Sequence, residues 1–570
     1  MNIKRIITSV LLLSSTASYA QSFAPEDYIY PVEGAAKLFS ANFGELRSDH
    51  FHSGVDIKTD GVEGKRIVAV ADGYISRISL SPYGYGLALY ITHNSGSTSV
   101  YGHLSRFRDD VAKYVEAERY RTKSHSVNLF CNSQTFVVKQ GDLIAYSGNS
   151  GSSAGPHLHF EVRETASQKP INVIADRIIE PRDNIAPLIR TLHYIEVDTL
   201  QGIPHNAPRR SYDVEKVGES YQISGGAKVE VGRRGYFVLE ATDRRNDVTN
   251  TFGIYRLSAS IDGKQYFQYS MDGFTYDKSR YCNAIGYYPI MINTRNEPLR
   301  LAATENCDMS HYIKIHNKGL VTASQGVVRE VSIDVEDDCG NTSNLNFMIV
   351  GKSDDRCFVA ERVEPNMVAS AKSQYIFRGD GVAVSIPAYA LYESVEFKCE
   401  EVVVDDAKAL SKGYKILDVT TPLHKAMSVS IKADIALDLR NKVGLSMIGR
   451  TGKVSFIRGE YVAGVVTANS RNAGTFYVAT DTTAPTISLG IAEGSQQGGS
   501  SYFTCAVSDD LSGVSSYSAT IDGEWIAFNL VNGRLRHNFR SKPDGEQHEL
   551  VVTVVDNVGN STTVTCRYMR

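Results

Sequence analysis

Cysteine is scarce in this chain, with eight in 570 residues. That density is too low for a disulfide scaffold. No two cysteines form a CxxC pair, so a thiolate metal site is not expected, and any bound metal has to be held by histidine and carboxylate. Tryptophan occurs once against 32 tyrosines, an imbalance from which no function follows. Neither sign of charge dominates: 60 Lys and Arg stand against 64 Asp and Glu, a net charge of −4. This argues against a nucleic-acid binder. With 22% charged and 42% hydrophobic residues the composition is that of an ordinary globular protein, not of a disordered tract or a collagen. Beyond the first twenty residues no stretch reaches the roughly 18–20 continuous apolar residues of a transmembrane helix.

The length points to about four domains. Residues 1–20 are set apart from them. Lys4 and Arg5 precede an apolar run, Ile6 to Leu13, that is too short to span a bilayer, and Ser18 and Ala20 supply the small residues of a cleavage site before Gln21. This is the pattern of an export signal peptide. No cysteine follows the site, so no lipid anchor is indicated. Without Lys4 and Arg5, 58 basic residues face 64 acidic ones, a mature charge of −6. The expected location is periplasmic or extracellular.

The fold class expected is all-β: an antiparallel β domain at 25–175 followed by β-sandwich modules. Runs such as IVAVADGYISRISL and GLALYITH alternate with period two between tight turns. One helix is expected, Asp109 to Lys123, where Val111, Tyr114 and Val115 fall at i, i+3 and i+4. It lies in an insertion, 106–140.

Past residue 180 the chain repeats. DNIAPLI (183–189) returns as DTTAPTI (481–487), LSASIDG (257–263) as YSATIDG (517–523), and EDDCGNTS (336–343) as VDNVGNST (555–562). Matched landmarks in one order make 183–350 and 481–570 two copies of a β-rich module, the first lengthened by loops between Tyr266 and Gln325. Short strands and Asp/Gly/Asn turns point to immunoglobulin-like sandwiches, similar to the bacterial modules attached to many envelope enzymes. Their acidic turn residues have two readings, calcium ligands or plain Asx-turns, and the second is commoner. Residues 355–480 read as a further β-sandwich of unreadable function.

Three strings of the first domain carry chemistry. They are HFHSGVDIK with His52, Gly54 and Asp56, SVYGHLSRF with His103, and SAGPHLHFEVRE with His157 and His159. On a strand His157 and His159 share one face while Leu158, Phe160 and Val162 face a core. His52, Asp56 and His159 make a His2Asp donor set with one tetrahedral position left open, the mark of a catalytic zinc site. Zinc lowers the pKa of its water toward about 7 and polarises a carbonyl. The HExxH motif and its glutamate base are absent, which leaves His103 and His157 as the groups able to move protons near neutral pH. His50 is expected to be a neighbour rather than a ligand, and His93 a hydrogen-bonded strand-end residue.

The ordered set H-x-G-x-D, Y-x-H-L, G-P-H-L-H-F resembles the lysostaphin/LytM-type zinc endopeptidases, over roughly Phe43 to Glu164. The resemblance implies one zinc ion on His52, Asp56 and His159, with His103 and His157 serving the attacking water and the transition state. It further implies that the substrate is peptidoglycan peptides. Other readings are a zinc-free regulator that switches on other wall hydrolases, a protease of Gly-rich proteins, and an adhesin carrying a passenger peptidase. All five positions being present argues against the regulator. The sandwich modules are places where envelope partners could dock. The insertion is expected to wall the substrate groove, with docking against an immunoglobulin-like module as the alternative. Cys505 and Cys566, aligned with Leu239 and Phe347 of the first copy, are expected to face one core, either bridged or as free thiols.

Overall fold

The computed structural model describes residues 23–197, 208–294, 296–307, 311–359, 363–540 and 543–570. The export signal expected at 1–20 lies outside the described residues. No described helix is long and apolar enough to cross a membrane.

The N-terminal unit is built on an eight-stranded antiparallel sheet. At its centre the strand His157–Glu164 lies between Val55–Lys58 and Ser97–Leu104, and the path continues through Leu87–His93 and Gly73–Leu80 to Val127–Phe130. Leu158, Phe160 and Val162 point into a core shared with Tyr101, Ile75 and Ile91. That alternation leaves His157, His159, Glu161 and Arg163 on the other face. A small sheet of Arg66–Val68, Leu143–Tyr146 and Arg106–Phe107 adjoins it.

The insertion contains the helix Asp109–Thr122, ended by Lys123 in a left-handed conformation. Val111 and Val115 of the helix pack into the core beneath the sheet. The expectation of a groove wall is corrected here. The insertion's strand Val127–Phe130 lies four strands from His157–Glu164, about 19 Å at ordinary strand spacing. Its helix instead docks on the last sandwich. Arg119 donates to Phe528 O (2.6 Å) and Asn529 Oδ1 (2.9 Å), His125 donates to Tyr517 O (3.1 Å) and accepts from Phe528 N–H (3.0 Å), and Trp525 meets Tyr120 edge-on and lies tilted against His125.

In the first repeat copy one strand, Arg209–Val217, pairs with Leu188–Glu196 over one half and with Ser220–Ile223 over the other. The two layers are thereby joined into one eleven-stranded sheet. The last copy keeps two separate four-stranded sheets. Residues between the copies form two five-stranded sheets around their own core. Cys505 and Cys566 enter one core, as Leu239 and Phe347 do in the first copy. Both thiols are free and serve as small apolar side chains.

Contacts run from unit to unit and back to the start. Asn306 donates to Tyr389 O and Leu391 O (both 3.0 Å), Lys408 reaches Asp510 (2.8 Å), and the last sandwich returns to the insertion of the first unit.

Candidate active site

Register brings the singled-out residues together. His159 pairs with Asp56 on one neighbouring strand and with Gly102 on the other, so Asp56 Oδ1 lies 3.0 Å from His159 Nδ1. His52 enters from the loop preceding Val55. Its Nε2 lies 3.1 Å from Asp56 Oδ1 and 3.1 Å from His159 Nδ1. A tetrahedral ion with bonds of about 2.0–2.1 Å separates its donors by roughly 3.3 Å. The triangle of two imidazole nitrogens and one carboxylate oxygen therefore fits a zinc ion with one vertex free.

Each ring is held in the tautomer this requires. His52 Nδ1 donates to Asn42 O (2.7 Å), leaving Nε2 bare. His159 directs Nε2 at Glu161 Oε1 (2.8 Å) and turns Nδ1 to the site. A carboxylate behind a ligating imidazole fixes its orientation and raises its basicity. Burial alone would lower His159, but hydrogen bonds to Asp56 and Glu161 lift the metal-free ring to about 9. Burial likewise works to raise Asp56, and the charge of His52 with hydrogen bonds from the histidines holds it well below the usual carboxylate range.

His157 and His103 stand on the open side. His157 Nε2 is 3.5 Å from Asp56 Oδ1, and the His103 ring centroid lies 4.7 Å from that of His157. Nδ1 of each donates to a carbonyl, Gly155 O for His157 and Ser150 O for His103, both at 2.8 Å. Burial, reinforced by His159 and His157, pushes His103 down to about 4, so its ring is neutral.

His103 owes its direction to a backbone irregularity. Gly102 faces the site beside His159, so strict alternation would send His103 to the core face with Tyr101. The pairing with Leu87–His93 slips between Leu87 and Leu89, and His103 takes φ +58°. This bulge re-aims the side chain, a device common beside active sites. Gly54 is required by close packing, not by backbone freedom. Its φ is not left-handed, but a Cβ there would sit 2.3 Å from Phe160 O and 2.7 Å from Glu161 Cγ. Only glycine lets the His52 loop lie against the ligand strand.

Sequence reasoning passed over Glu161, which is fully buried. Its Oε1 accepts from Tyr85 (2.6 Å) and Ser53 (2.8 Å), and its Oε2 from Arg163 Nε (2.6 Å) and Tyr276 (2.9 Å). The signal was present: residues 157, 159, 161 and 163 share one face of a strand whose other face is apolar. Tyr276, from the first sandwich, carried none. The His52 loop is also held by that sandwich. Phe43 and Phe51 enter its core, Phe51 N–H donates to Ser279 Oγ (3.0 Å), and Asn42 exchanges hydrogen bonds with Gly253 (3.0 and 2.9 Å). His50 is exposed and pairs with Asp49 at 2.8 Å. His93 ends its strand bonded to Ser99 and Asp72 O.

Comparison with known proteins follows the same residues. A profile described as peptidase family M23 matches 50–120 and 117–173, and one described as a Zu5-like domain matches 366–481. The chain is 33% identical over 140 residues to a protein of Haemophilus influenzae named as an uncharacterized metalloprotease, covering 23% of this chain and 24% of that protein. It is 28% identical over 136 residues to DD-carboxypeptidase/endopeptidase Mpg of Neisseria meningitidis (24% and 25%), and 30% identical over 139 residues to the peptidoglycan DD-endopeptidase ShyB of Vibrio cholerae (23% and 26%). The match thus spans about a quarter of each of these relatives. Similar solved structures include a zinc-containing peptidase from Vibrio cholerae, 27% identical over 26% of this chain and 39% of that one with TM-score 0.19. The catalytic domain of lysostaphin from Staphylococcus simulans is 24% identical over 24% and 82%, with TM-score 0.17. The profile and the ordered motifs agree with the strand register, and they place residues 50–173 of this chain in peptidase family M23.

Proposed function

We propose that the chain is an exported zinc metalloendopeptidase that hydrolyses peptide bonds of bacterial peptidoglycan. The observation that carries this reading is the convergence of His52 Nε2, Asp56 Oδ1 and His159 Nδ1 within 3.0–3.1 Å, with two further imidazoles on the open side. The curated relatives named for peptidoglycan DD-endopeptidase and DD-carboxypeptidase activity support the substrate class.

Bound zinc supplies a Lewis acid and lowers the pKa of its water. The chain's residues do the rest. His103, neutral and with Nδ1 occupied by Ser150 O, offers Nε2 to a proton leaving the attacking water. His157, anchored on Gly155 O, faces His103 on the open side, so the proton taken from the water is held between the two imidazoles and, while it sits on His157 Nε2, it steadies the developing oxyanion. The amine leaves with a proton returned by the same pair. His159 stays fixed by Glu161 while this happens.

The test is digestion of purified peptidoglycan by the full chain, with released peptides identified by mass spectrometry and zinc counted in the same preparation. One zinc per chain and newly cut peptide bonds are expected. His52→Ala and Asp56→Ala should lose both metal and activity, because a three-ligand site has no spare donor. A chain that holds no zinc and cuts no wall peptide would turn the reading toward a binding regulator.

A further inference from the structure

The two sandwich copies carry acidic residues at matching points but satisfy them differently. In the last copy Asp481 Oδ1 accepts from Thr483 N–H (3.1 Å) and its Oδ2 from Ser512 N–H (2.9 Å). Asp556 Oδ1 accepts from Val558 and Asn560 N–H (2.9 and 2.8 Å). Asp509 Oδ2 accepts from Gly513 N–H (2.7 Å) and from Leu511 N–H (3.2 Å), leaving Asp509 Oδ1 unpaired. These carboxylates shape turns.

In the first copy Asp183 and Asp337 make the same turns, to Ile185 N–H (3.0 Å) and to Cys339 and Asn341 N–H (2.8 and 2.9 Å). Asp243 stands where Asp509 does, in ATD against VSD. It is fully buried, and neither of its side-chain oxygens has a hydrogen-bond partner; Asp183 Oδ2 has none either. The loop after Asp243 does not fold back to it. Its Arg245 turns to Asp338 instead (2.6 and 2.8 Å), with Nε 4.0 Å from Asp183. One oxygen from each of Asp183, Asp243 and Asp337 lies within 4.8 Å of the others. Four carboxylates, counting Asp338, face one guanidinium, and an unpaired buried carboxylate is costly. A cleft of about 500 Å³, lined by Asp183, Glu336, Asp337 and Asp338, opens onto the group and gives an entry path.

We propose that Asp183, Asp243 and Asp337 hold a calcium ion. The donors are all oxygen, which selects a hard cation. Three clustered carboxylates suit the high, flexible coordination of calcium better than magnesium, which keeps its waters and takes one or two carboxylates. The site lies at the joint between the peptidase sheet and the first sandwich. Asp183 belongs to the connecting segment, and Asp338 accepts from Asn42 Nδ2 (3.4 Å), the residue whose carbonyl orients His52. The ion therefore braces the loop that carries a zinc-ligand residue without touching it.

The experiment uses the full chain, freed of calcium on a chelating resin and reloaded with one equivalent of zinc. Calorimetric titration with calcium should show one site, and about 1 mM calcium, the range in which extracellular modules bind it, should raise the unfolding midpoint by several degrees. Asp243→Asn should abolish both effects while Asp509→Asn keeps them. If Asp243→Asn does not fold, Asp183→Asn, whose amide oxygen can still accept from Ile185, takes its place. Wild-type protein that binds no calcium overturns the proposal. So does an Asp243→Asn or Asp183→Asn variant that binds it as well as wild type, or an equal response to magnesium.

Discussion

Five side chains meet on the two oxygens of Glu161: Ser53, Tyr85 and His159 on one, Arg163 and Tyr276 on the other. Burial works to raise this carboxyl, and the charges of Arg163 and His159 pull it far below its ordinary range. Glu161→Gln should weaken zinc binding about 10–100-fold, as loss of a partner behind a ligating imidazole does, measured by competition with a chromophoric chelator. It should also lower stability by on the order of 3 kcal/mol, because Arg163 is left buried without its counter-charge; chemical denaturation reads this out. His103→Ala should behave in the opposite way, keeping zinc but losing about 10²–10⁴ in kcat. Equal zinc loss in both variants would mean that His103 shapes the donor set rather than the proton path. The convergence of His52, Asp56 and His159 was legible because H-x-G-x-D and HxH are local patterns whose strand geometry follows from period two. The aim of His103 was not legible, since it depends on a one-residue slip that alternation alone argues against.

The two inserted stretches are elements whose existence was readable and whose roles were not. The helix Asp109–Thr122 was visible in its apolar spacing, and the loops 266–325 in the mismatch of the two copies. What each one touches is set by residues 115 to 409 positions away, Glu161 for Tyr276 and Phe528 for Arg119, and no local pattern encodes that. Arg119→Ala should destabilise the docked state by about 1–3 kcal/mol, since Phe528 O and Asn529 Oδ1 lose their charged donor. Faster hydrogen exchange at Phe528 and Asn529, with peptidase turnover unchanged, is the expected result. A change in the bonds cut would restore the insertion to the substrate groove. Tyr276→Phe should lower zinc affinity by about tenfold while leaving the fold intact.

For the whole molecule, the peptidase unit is not a free-standing block. Phe43 and Phe51 lie in the core of the first sandwich, so a fragment ending near residue 182 exposes both and loosens the loop that bears His52. Such a fragment should bind zinc more weakly than one ending near residue 353, which keeps the sandwich; equal zinc affinity for the two would show that the loop is set by the sheet alone. The four units also close on themselves, since the last returns to the insertion of the first through Arg119 and His125. In a closed circuit a contact need not be tight to be populated. The intervening units hold its halves together at an effective concentration on the order of millimolar, so this seam can part and re-form without any piece leaving. A single backbone cut between two units then opens a gate rather than releasing a fragment.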